Sequence, residues 1–312
     1  MTGRDDRLAA VAAALTGIQV GAAMVATRFV VEQTTPGALA MMRYMIGFMC
    51  LLPVVLMGPR PRFARADVLP IAALGIVQFG VLIALLNIGL KHIPAGRASL
   101  IFALFPLLTM VLAAATGREA MTVRKTVGVL LTITGVGFAL GYQALGQGGG
   151  DGQWLGAACV FLSALCGAVC SLLYRPYLRK YPTVPVSAFA MLASVLVLAV
   201  MAALEGFFYA MPVISQTGWL AIGFIGLSSG VGHFLWLWAL GHTSATNATA
   251  FQGLSPVTAA LLGVVLLGEP LSGGLLIGIT CVVAGLWVAL RTPLASNRPQ
   301  NVRAERRSHE EG

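Results

Sequence analysis

The chain has 312 residues, of which 58% are hydrophobic and only 10% are charged. A soluble domain carries roughly 25% charged residues, so most of the surface of this protein cannot face water. The formal net charge of +9 would suit a nucleic-acid-binding protein, but the positions of the charges exclude that partner, as shown below. The composition therefore predicts a protein embedded in a lipid bilayer.

Ten segments are apolar over about the 20 residues that a transmembrane helix needs. The first of them is too long for the apolar core of a signal peptide, and we expect it to be retained as a span. The sequence thus predicts an all-α polytopic membrane protein with ten transmembrane helices. They lie at residues 8–30, 37–57, 68–90, 97–116, 124–142, 154–174, 184–204, 218–240, 246–267 and 273–290.

The basic residues orient these spans, because Lys and Arg are enriched on the cytoplasmic side of membrane proteins. With a cytoplasmic N-terminus, sixteen of the 20 Lys and Arg residues fall in inner segments, and only Lys91 and Arg97 fall in outer loops. The bias predicts a multi-pass protein of the cell inner membrane with both termini in the cytoplasm. It also accounts for the excess positive charge without nucleic acid.

An internal repeat divides the chain. A shift of 150 residues aligns the fourth and fifth spans with the ninth and tenth without a gap, and it gives 12 identities in 51 positions. Pro106 meets Pro256, and Glu119 meets Glu269. Because five spans per half is an odd number, the second half must enter the membrane in the opposite orientation. Such inverted repeats are typical of secondary transporters.

The predicted organisation has four parts. A first five-helix repeat covers 1–145, a Gly-rich linker covers 146–153, and a second five-helix repeat covers 154–290. The polar tail at 291–312 mixes both signs of charge and is expected to be disordered in the cytoplasm.

Two motifs resemble a known family. Leu104-Phe105-Pro106 followed by Glu119, and Leu254-Ser255-Pro256 followed by Gly268-Glu269-Pro270, are similar to the repeat motifs of the drug/metabolite transporter superfamily, in particular its ten-span EamA-type exporters. The resemblance covers nearly the whole chain and is greatest to members that export aromatic amino acids. The first motif departs from the pattern, because Ala120 stands where a proline follows Glu269. The resemblance implies a central cavity surrounded by spans 1, 3, 4, 6, 8 and 9.

Polar and aromatic side chains in those spans are the expected substrate contacts. Aromatic rings would form an apolar wall that can stack on a ligand, and Gln or His could orient an amino or carboxylate group. The alternative for each aromatic residue is packing against lipid or a neighbouring helix. The residues implied to bind substrate are Gln78, Phe79, Leu82, Phe102, His233, Trp236, Phe251 and Gln252.

Arg43 is expected to have a structural or gating role. It lies about seven residues inside the second span, a depth over which an arginine can extend back to the interface. It could pair with Glu32 or Glu269 as a clamp on the outer side, or bind a substrate carboxylate, and we favour the clamp.

Matched positions in the two halves supply further gating candidates. Pro106 and Pro256 each remove a helical hydrogen bond in mid-span, which predicts bends that serve as gates or as static kinks. The charge map assigns Glu119 to the inner side and Glu269 to the outer side.

All eleven acidic residues fall in loops, at span ends or in the tails. Proton-coupled carriers usually place a titratable carboxylate within the pathway. The sequence therefore favours facilitated passage or exchange, or weak coupling through His233 or a glutamate at a span end.

An enzymatic function is not favoured. Residues 226–230 match the GxSxG pattern of a nucleophile elbow, but the elbow needs a strand-to-helix turn, and no acid stands in a span to orient His233. Small residues at a helix interface explain the pattern better. Metal-ligand and phosphate-binding motifs are missing from the sequence, so no cofactor or metal is expected.

The sequence and the resemblance together predict a secondary transporter. It would export amino acids, with aromatic ones as candidates, or related small metabolites across the inner membrane by alternating access. The alternatives are an exporter of drugs or other metabolites, a channel-like membrane protein, and an intramembrane hydrolase that acts through Ser228. The expected partners are a small-molecule substrate and the lipid bilayer, and the chain is expected to be a monomer.

Overall fold

A computed structural model describes residues 3–58, 63–118, 121–144, 151–210, 212–243, 248, 251–269 and 272–290. These parts of the chain form helices joined by short connections, and no strand occurs among them. In hydrocarbon every backbone polar group needs an internal partner, which a helix supplies within one segment.

Each of the ten predicted spans overlaps one helix in the part of the chain that the structure describes. Seven helices are long and apolar enough to cross a membrane, and shorter apolar helices occur at Thr126–Val136, Phe251–Leu267 and Gly273–Gly285. The all-helical, multi-pass character is thus confirmed, whereas ten crossings remain a prediction. The helices are α1 Gly3–Val30, α2 Pro36–Met57, α3 Arg65–His92, α4 Ala95–Ala115, α5 Val123–Ala144, α6 Asp151–Lys180, α7 Thr183–Leu204, α8 Gln216–His242, α9 Phe251–Leu267 and α10 Gly273–Leu290.

Local sequence signals set several helix ends. The Thr35 side chain accepts a hydrogen bond from the backbone N–H of Ala38, the third residue of α2, and Pro36 occupies its first position, where the missing N–H costs nothing. Ser215 caps α8 in the same way. At the end of α9, Gly268 adopts a left-handed conformation with φ 65°, which a glycine takes without steric cost.

Helix α6 begins at Asp151, so residues 151–153 of the predicted 146–153 linker are helical. Residues 145–150 and the predicted tail at 291–312 lie outside the described residues.

Three helices are interrupted near the centre of the molecule. Helix α3 contains a wide turn at Ile76–Val81 with π-helical hydrogen bonds. Helix α4 has a tight turn at Ala103 (ψ −8°), and α9 starts with a 3-10 turn that ends at Gly253 (ψ −12°). These two turns lie at positions that the 150-residue shift matches, three residues before Pro106 and Pro256. Each proline therefore lies near the start of a new helical piece, not at the bend in mid-helix that its position predicts.

The first five helices pack against the second five in reciprocal pairs. Helix α1 packs against α8, and the counterpart of this contact is the packing of α6 against α3. In the same way the α1–α9 contact corresponds to the α6–α4 contact, and the α2–α8 contact corresponds to the α7–α3 contact. Three further pairs, α2–α7, α4–α9 and α5–α10, join helices of equal rank. Exchanging the two sets of five helices maps each of the first three contacts onto its match and each of the last three onto itself, whereas the smaller α4–α10 contact has no match of similar size among the described residues.

The α5–α10 pair shows the same reciprocity in atomic detail. A Cβ on Gly135 would lie 2.8 Å from the carbonyl oxygen of Gly278, and a Cβ on Gly285 would lie 2.6 Å from that of Gly128. Only glycine permits so close an approach at these sites, a common device where membrane helices associate.

Candidate functional site

A cavity opens where the two sets of helices meet. The cavity and the open solvent in its mouth occupy about 690 Å³. Its walls come from α1, α2, α3, α4, α8 and α9. The resemblance implies spans 1, 3, 4, 6, 8 and 9 around the cavity; of these, α6 contributes no lining residue, and α2, which is not among them, contributes two. The polar lining residues are Thr16, Gln19, Arg43, Gln78, Ser229, His233 and Gln252, and the others are Val20, Ala23, Met24, Tyr44, Phe79, Leu82, Ile83, Leu86, Phe102, Phe105, Gly232 and Trp236.

Seven of the eight residues implied to bind substrate lie in this lining, and Phe251 does not. Phe251 is half-buried at the start of α9, where its backbone carbonyl faces Gly17 of α1. The 3-10 turn at Phe251–Gly253 winds more tightly than an α-helix, so the side-chain directions differ from those of a regular span. Gln252 faces the cavity as a result, and its neighbour does not.

Arg43 is fixed by a hydroxyl group and not by an acid. Its Nε–H donates to Ser229 Oγ at 2.6 Å, and its guanidinium carbon lies 5.6 Å from the centroid of the Tyr44 ring. The side chain is buried, with 7% of the residue exposed. The expected clamp with Glu32 or Glu269 is wrong, because each of those carboxylates binds another group.

Glu32 pairs with Arg28 one helical turn away at 2.9 Å. Glu269 accepts hydrogen bonds from the first two backbone N–H groups of α4 at 3.0 and 3.4 Å. Glu205 caps the N-terminus of α2 in the same manner, at 3.0 to 3.2 Å. A carboxylate at a helix N-terminus is stabilised by the unpaired N–H groups and by the helix dipole. Glu119, the counterpart of Glu269 in the first half, lies outside the described residues.

The cavity wall carries no carboxylate among the residues that the structure describes. Asp67, the remaining acid with a described side chain, binds Lys180 and the Tyr181 hydroxyl at the junction of α3 and α6. The described acids thus bind helix ends and connections, and they do not line the cavity.

Two lining side chains are buried with an unpaired polar atom. His233 Nε2 and Gln252 Oε1 have no hydrogen-bond partner among the described residues, and the two residues are 8% and 3% exposed. Leaving a buried polar group unpaired costs about 1–3 kcal/mol, so such atoms are expected to bind water or a ligand. The Phe79 and His233 rings pack edge to face, with centroids 4.2 Å apart, which holds the imidazole at the cavity wall.

Aromatic rings form an adjacent part of the wall. Phe105 lies between Phe102 and Trp236, with ring centroids 5.6 Å apart in both pairs. Ser229, His233 and Trp236 succeed one another on one face of α8, at intervals of four and three residues. The lining therefore changes along α8 from a polar cluster beside Arg43 to an aromatic cluster, over roughly 10 Å at 1.5 Å per residue.

Comparison with known proteins identifies the family. The profile of the EamA-like transporter family matches residues 7–141 and, a second time, residues 154–291. The chain belongs to the EamA-like transporter family. The resemblance in the repeat motifs is thereby confirmed, and the protein is a transporter and not an enzyme.

Relatives of this EamA-like transporter carry similar names. An "Uncharacterized transporter" from Archaeoglobus fulgidus is 27% identical over 89% of this chain and 97% of its own length. A "Probable terminal-alkyne amino-acid exporter" from Streptantibioticus cattleyicolor is 30% identical over 76% of this chain and 78% of its own length. A protein of known crystal structure superposes with a TM-score of 0.69 over 90% of this chain and 96% of that one, and its 22% identity supports the fold alone.

The serine motif of this transporter is a packing element. Ser228 accepts a hydrogen bond from Gln19 of α1 at 3.2 Å, while His233 Nε2 contacts no described hydroxyl. A Cβ on Gly230 would lie 2.9 Å from the carbonyl oxygen of Gly47, so the motif lets α8 approach α2 closely. The interpretation as small residues at a helix interface fits these contacts.

Proposed function

We propose that this EamA-like transporter is a secondary carrier that exports amino acids or similar small metabolites across the inner membrane by alternating access. The observation that carries the proposal is the cavity between the two sets of helices, in which unpaired polar atoms of His233 and Gln252 lie beside an aromatic wall. Ligand sites are mostly apolar with a few converging polar groups, and this lining has that character. The name of the Streptantibioticus relative supports amino acids as the substrate class.

The architecture that we propose is ten spans in two inverted five-helix repeats, at residues 1–145 and 154–290. Three observations support it: the family profile matches twice, the helices pack in reciprocal pairs, and the turns at Ala103 and Gly253 occupy matched positions. An inverted repeat lets a carrier open to either side when its halves exchange conformations.

We propose that substrate contacts the seven sequence-predicted residues that line the cavity; Phe251, the eighth predicted residue, is left out because it does not line it. Trp236 is the largest of them and is 5% exposed, so its removal opens the aromatic wall. Trp219 lies on the same helix and is 53% exposed, which makes it a matched control. We expect Trp236→Ala to raise the half-saturating substrate concentration several-fold, and Trp219→Ala to leave it unchanged.

The proposed orientation places both termini in the cytoplasm, on the basis of the distribution of Lys and Arg. A reporter that is active only in the cytoplasm tests it, fused once after the C-terminus and once within 146–153. Activity of the first fusion and silence of the second are expected, and the reverse pattern would contradict the orientation.

The transport experiment uses the full chain in liposomes that are loaded with an unlabelled amino acid. Transient accumulation of the labelled amino acid by counterflow, with saturation, is expected of a carrier. Flux that neither saturates nor shows counterflow would indicate a channel. Because the described lining carries no carboxylate, we expect a pH gradient alone to drive no accumulation. Proton flux in fixed ratio to substrate would overturn that part of the proposal.

A further inference from the structure

We propose that Arg43 binds the carboxylate of the substrate, so that the cavity selects molecules with an anionic end and an apolar body. This inference rests on the proposed transport function and specifies its substrate class. It follows from the unpaired charge of Arg43, the orientation that Ser229 imposes, and the change in polarity along α8.

The guanidinium of Arg43 has hydrogen-bond donors that no described residue accepts from. Only its Nε–H donates to a described residue, Ser229, and the two terminal nitrogens have no hydrogen-bond partner among the described side chains and carbonyls. An arginine does not lose its proton in a protein, so the charge persists. A buried charge is costly unless an opposite charge meets it, and no described carboxylate does. An anion that enters the cavity would supply the missing partner.

Ser229 fixes the direction of the guanidinium. Its hydroxyl accepts from Arg43 and donates to the carbonyl oxygen of Ile225 at 2.6 Å, so its single proton points to α8 and an oxygen lone pair faces the guanidinium. The Nε side of the guanidinium plane is held against α8, and the terminal nitrogens remain for a ligand. A pair of N–H groups in one plane matches the two oxygens of a carboxylate.

The rest of the cavity complements the remainder of such a molecule. His233 lies one turn beyond Ser229 on α8, and Trp236 follows within another turn, against Phe105. Oε1 of Gln252 is an unpaired acceptor, and Nε2 of His233 is a second one in the tautomer that carries its proton on Nδ1; two such acceptors suit an ammonium group. An α-amino acid with an apolar side chain presents these three features in one small molecule.

The cavity holds one such polar cluster. The 150-residue shift places Phe79 at the position of Ser229 and Ile83 at the position of His233, so α3 offers apolar groups where α8 offers polar ones. One carboxylate site in one cavity predicts that a single substrate molecule binds per chain.

The test is equilibrium binding to the purified full chain, with three compounds that share a phenyl ring: L-phenylalanine, 3-phenylpropanoate, which lacks the amine, and phenethylamine, which lacks the carboxylate. We expect the wild type to bind phenethylamine at least about tenfold more weakly than L-phenylalanine. Arg43→Gln should weaken the two carboxylates by about 10- to 100-fold and leave phenethylamine unchanged.

Two serine variants complete the series. Ser229→Ala removes the group that orients Arg43 and should weaken carboxylate binding several-fold, whereas Ser228→Ala, one residue away, should not. If Arg43→Gln is not monodisperse, Arg43→Lys keeps the charge but loses the planar pair of donors, and it should still lower the preference for carboxylates.

The outcomes separate this inference from the proposed function. Equal affinity of the wild type for phenethylamine and L-phenylalanine, or undiminished binding of L-phenylalanine by a folded Arg43→Gln variant, would overturn the carboxylate site and leave transport standing. Absence of both binding and counterflow for every amino acid tested would overturn the proposed function, and the carboxylate site with it.

Discussion

Gly17 lies at the contact between α1 and the turn that begins α9. A Cβ at this position would come 2.1 Å from the carbonyl oxygen of Phe251. Carbon and oxygen atoms that are not bonded approach to about 3.3 Å, so Gly17→Ala requires the two backbones to separate by about 1 Å. Neither side of the contact is the end of a flexible side chain, and the strain therefore falls on helix packing.

The repeat provides a matched control. Gly167 occupies the position of Gly17 in the second half, but a Cβ there would meet the side chains of Phe105 and Leu82 at 3.1 and 3.2 Å. Small rotations of those side chains relieve such contacts. Gly223→Ala is the neutral control, since a Cβ at that site meets nothing within 4 Å.

The magnitudes follow from two opposing terms. Overpacking costs about 1–3 kcal/mol, and alanine in place of glycine in a helix returns about 1 kcal/mol. Gly17→Ala should therefore lose up to about 2 kcal/mol, Gly167→Ala should change little, and Gly223→Ala should gain slightly. In a chain of this length a loss of about 2 kcal/mol lowers the apparent melting temperature by about 3 °C.

The assay is thermal unfolding of the purified protein in one detergent, with counterflow measured on the same preparations. Because the turn at Phe251–Gly253 carries Gln252 into the cavity, Gly17→Ala should also slow transport. If Gly17→Ala melts at the same temperature as Gly223→Ala, the close approach of α1 and α9 does not exist as described.

Three further predictions concern single groups. Glu269→Gln removes a charge at the start of α4 that is worth about 0.3–1 kcal/mol and should lower the melting temperature by about 1 °C, whereas Glu32→Gln, at a side chain that is 67% exposed, should leave it unchanged. Pro256→Ala restores an N–H that can bond the carbonyl of Gln252 and should slow transport without weakening binding; unchanged transport would make the turn static. Ser228→Ala should keep full transport activity, and its loss would reopen a chemical role for that hydroxyl.

The helices were predictable from the sequence, and their interruptions were predictable only in part. Long apolar runs have one stable form in hydrocarbon, so each run overlaps a helix. Pro106 and Pro256 indicated disturbed helices at the right depth but not tight turns that begin new helical pieces. The π-helical turn at Ile76–Val81 contains no proline that would have predicted it from the sequence.

The candidate site was predictable as a set of residues and not as a set of contacts. A polar group in a span is costly, so Gln78, His233 and Gln252 were recognisable as cavity residues. The partner of Arg43 was not predictable in this way, because charge favours a glutamate and the structure supplies Ser229, for which the sequence pattern predicts only a packing role. A buried arginine needs a polar neighbour at its own depth, and α8 carries two serines there; that requirement is the signal that could have found it.

The glycine contacts between α5 and α10 resemble an interface between two identical subunits related by a two-fold axis. Gly135 of α5 contacts α10 in the same way as its counterpart Gly285 of α10 contacts α5. A five-helix chain inserted in both orientations would form this interface with a second copy of itself. When two such copies are joined in one polypeptide, their sequences can differ outside that interface. Phe79 can then stand where its counterpart is Ser229. The contacts of the two halves are accordingly reciprocal at the α5–α10 interface, whereas the residues of the halves differ at the proposed substrate site.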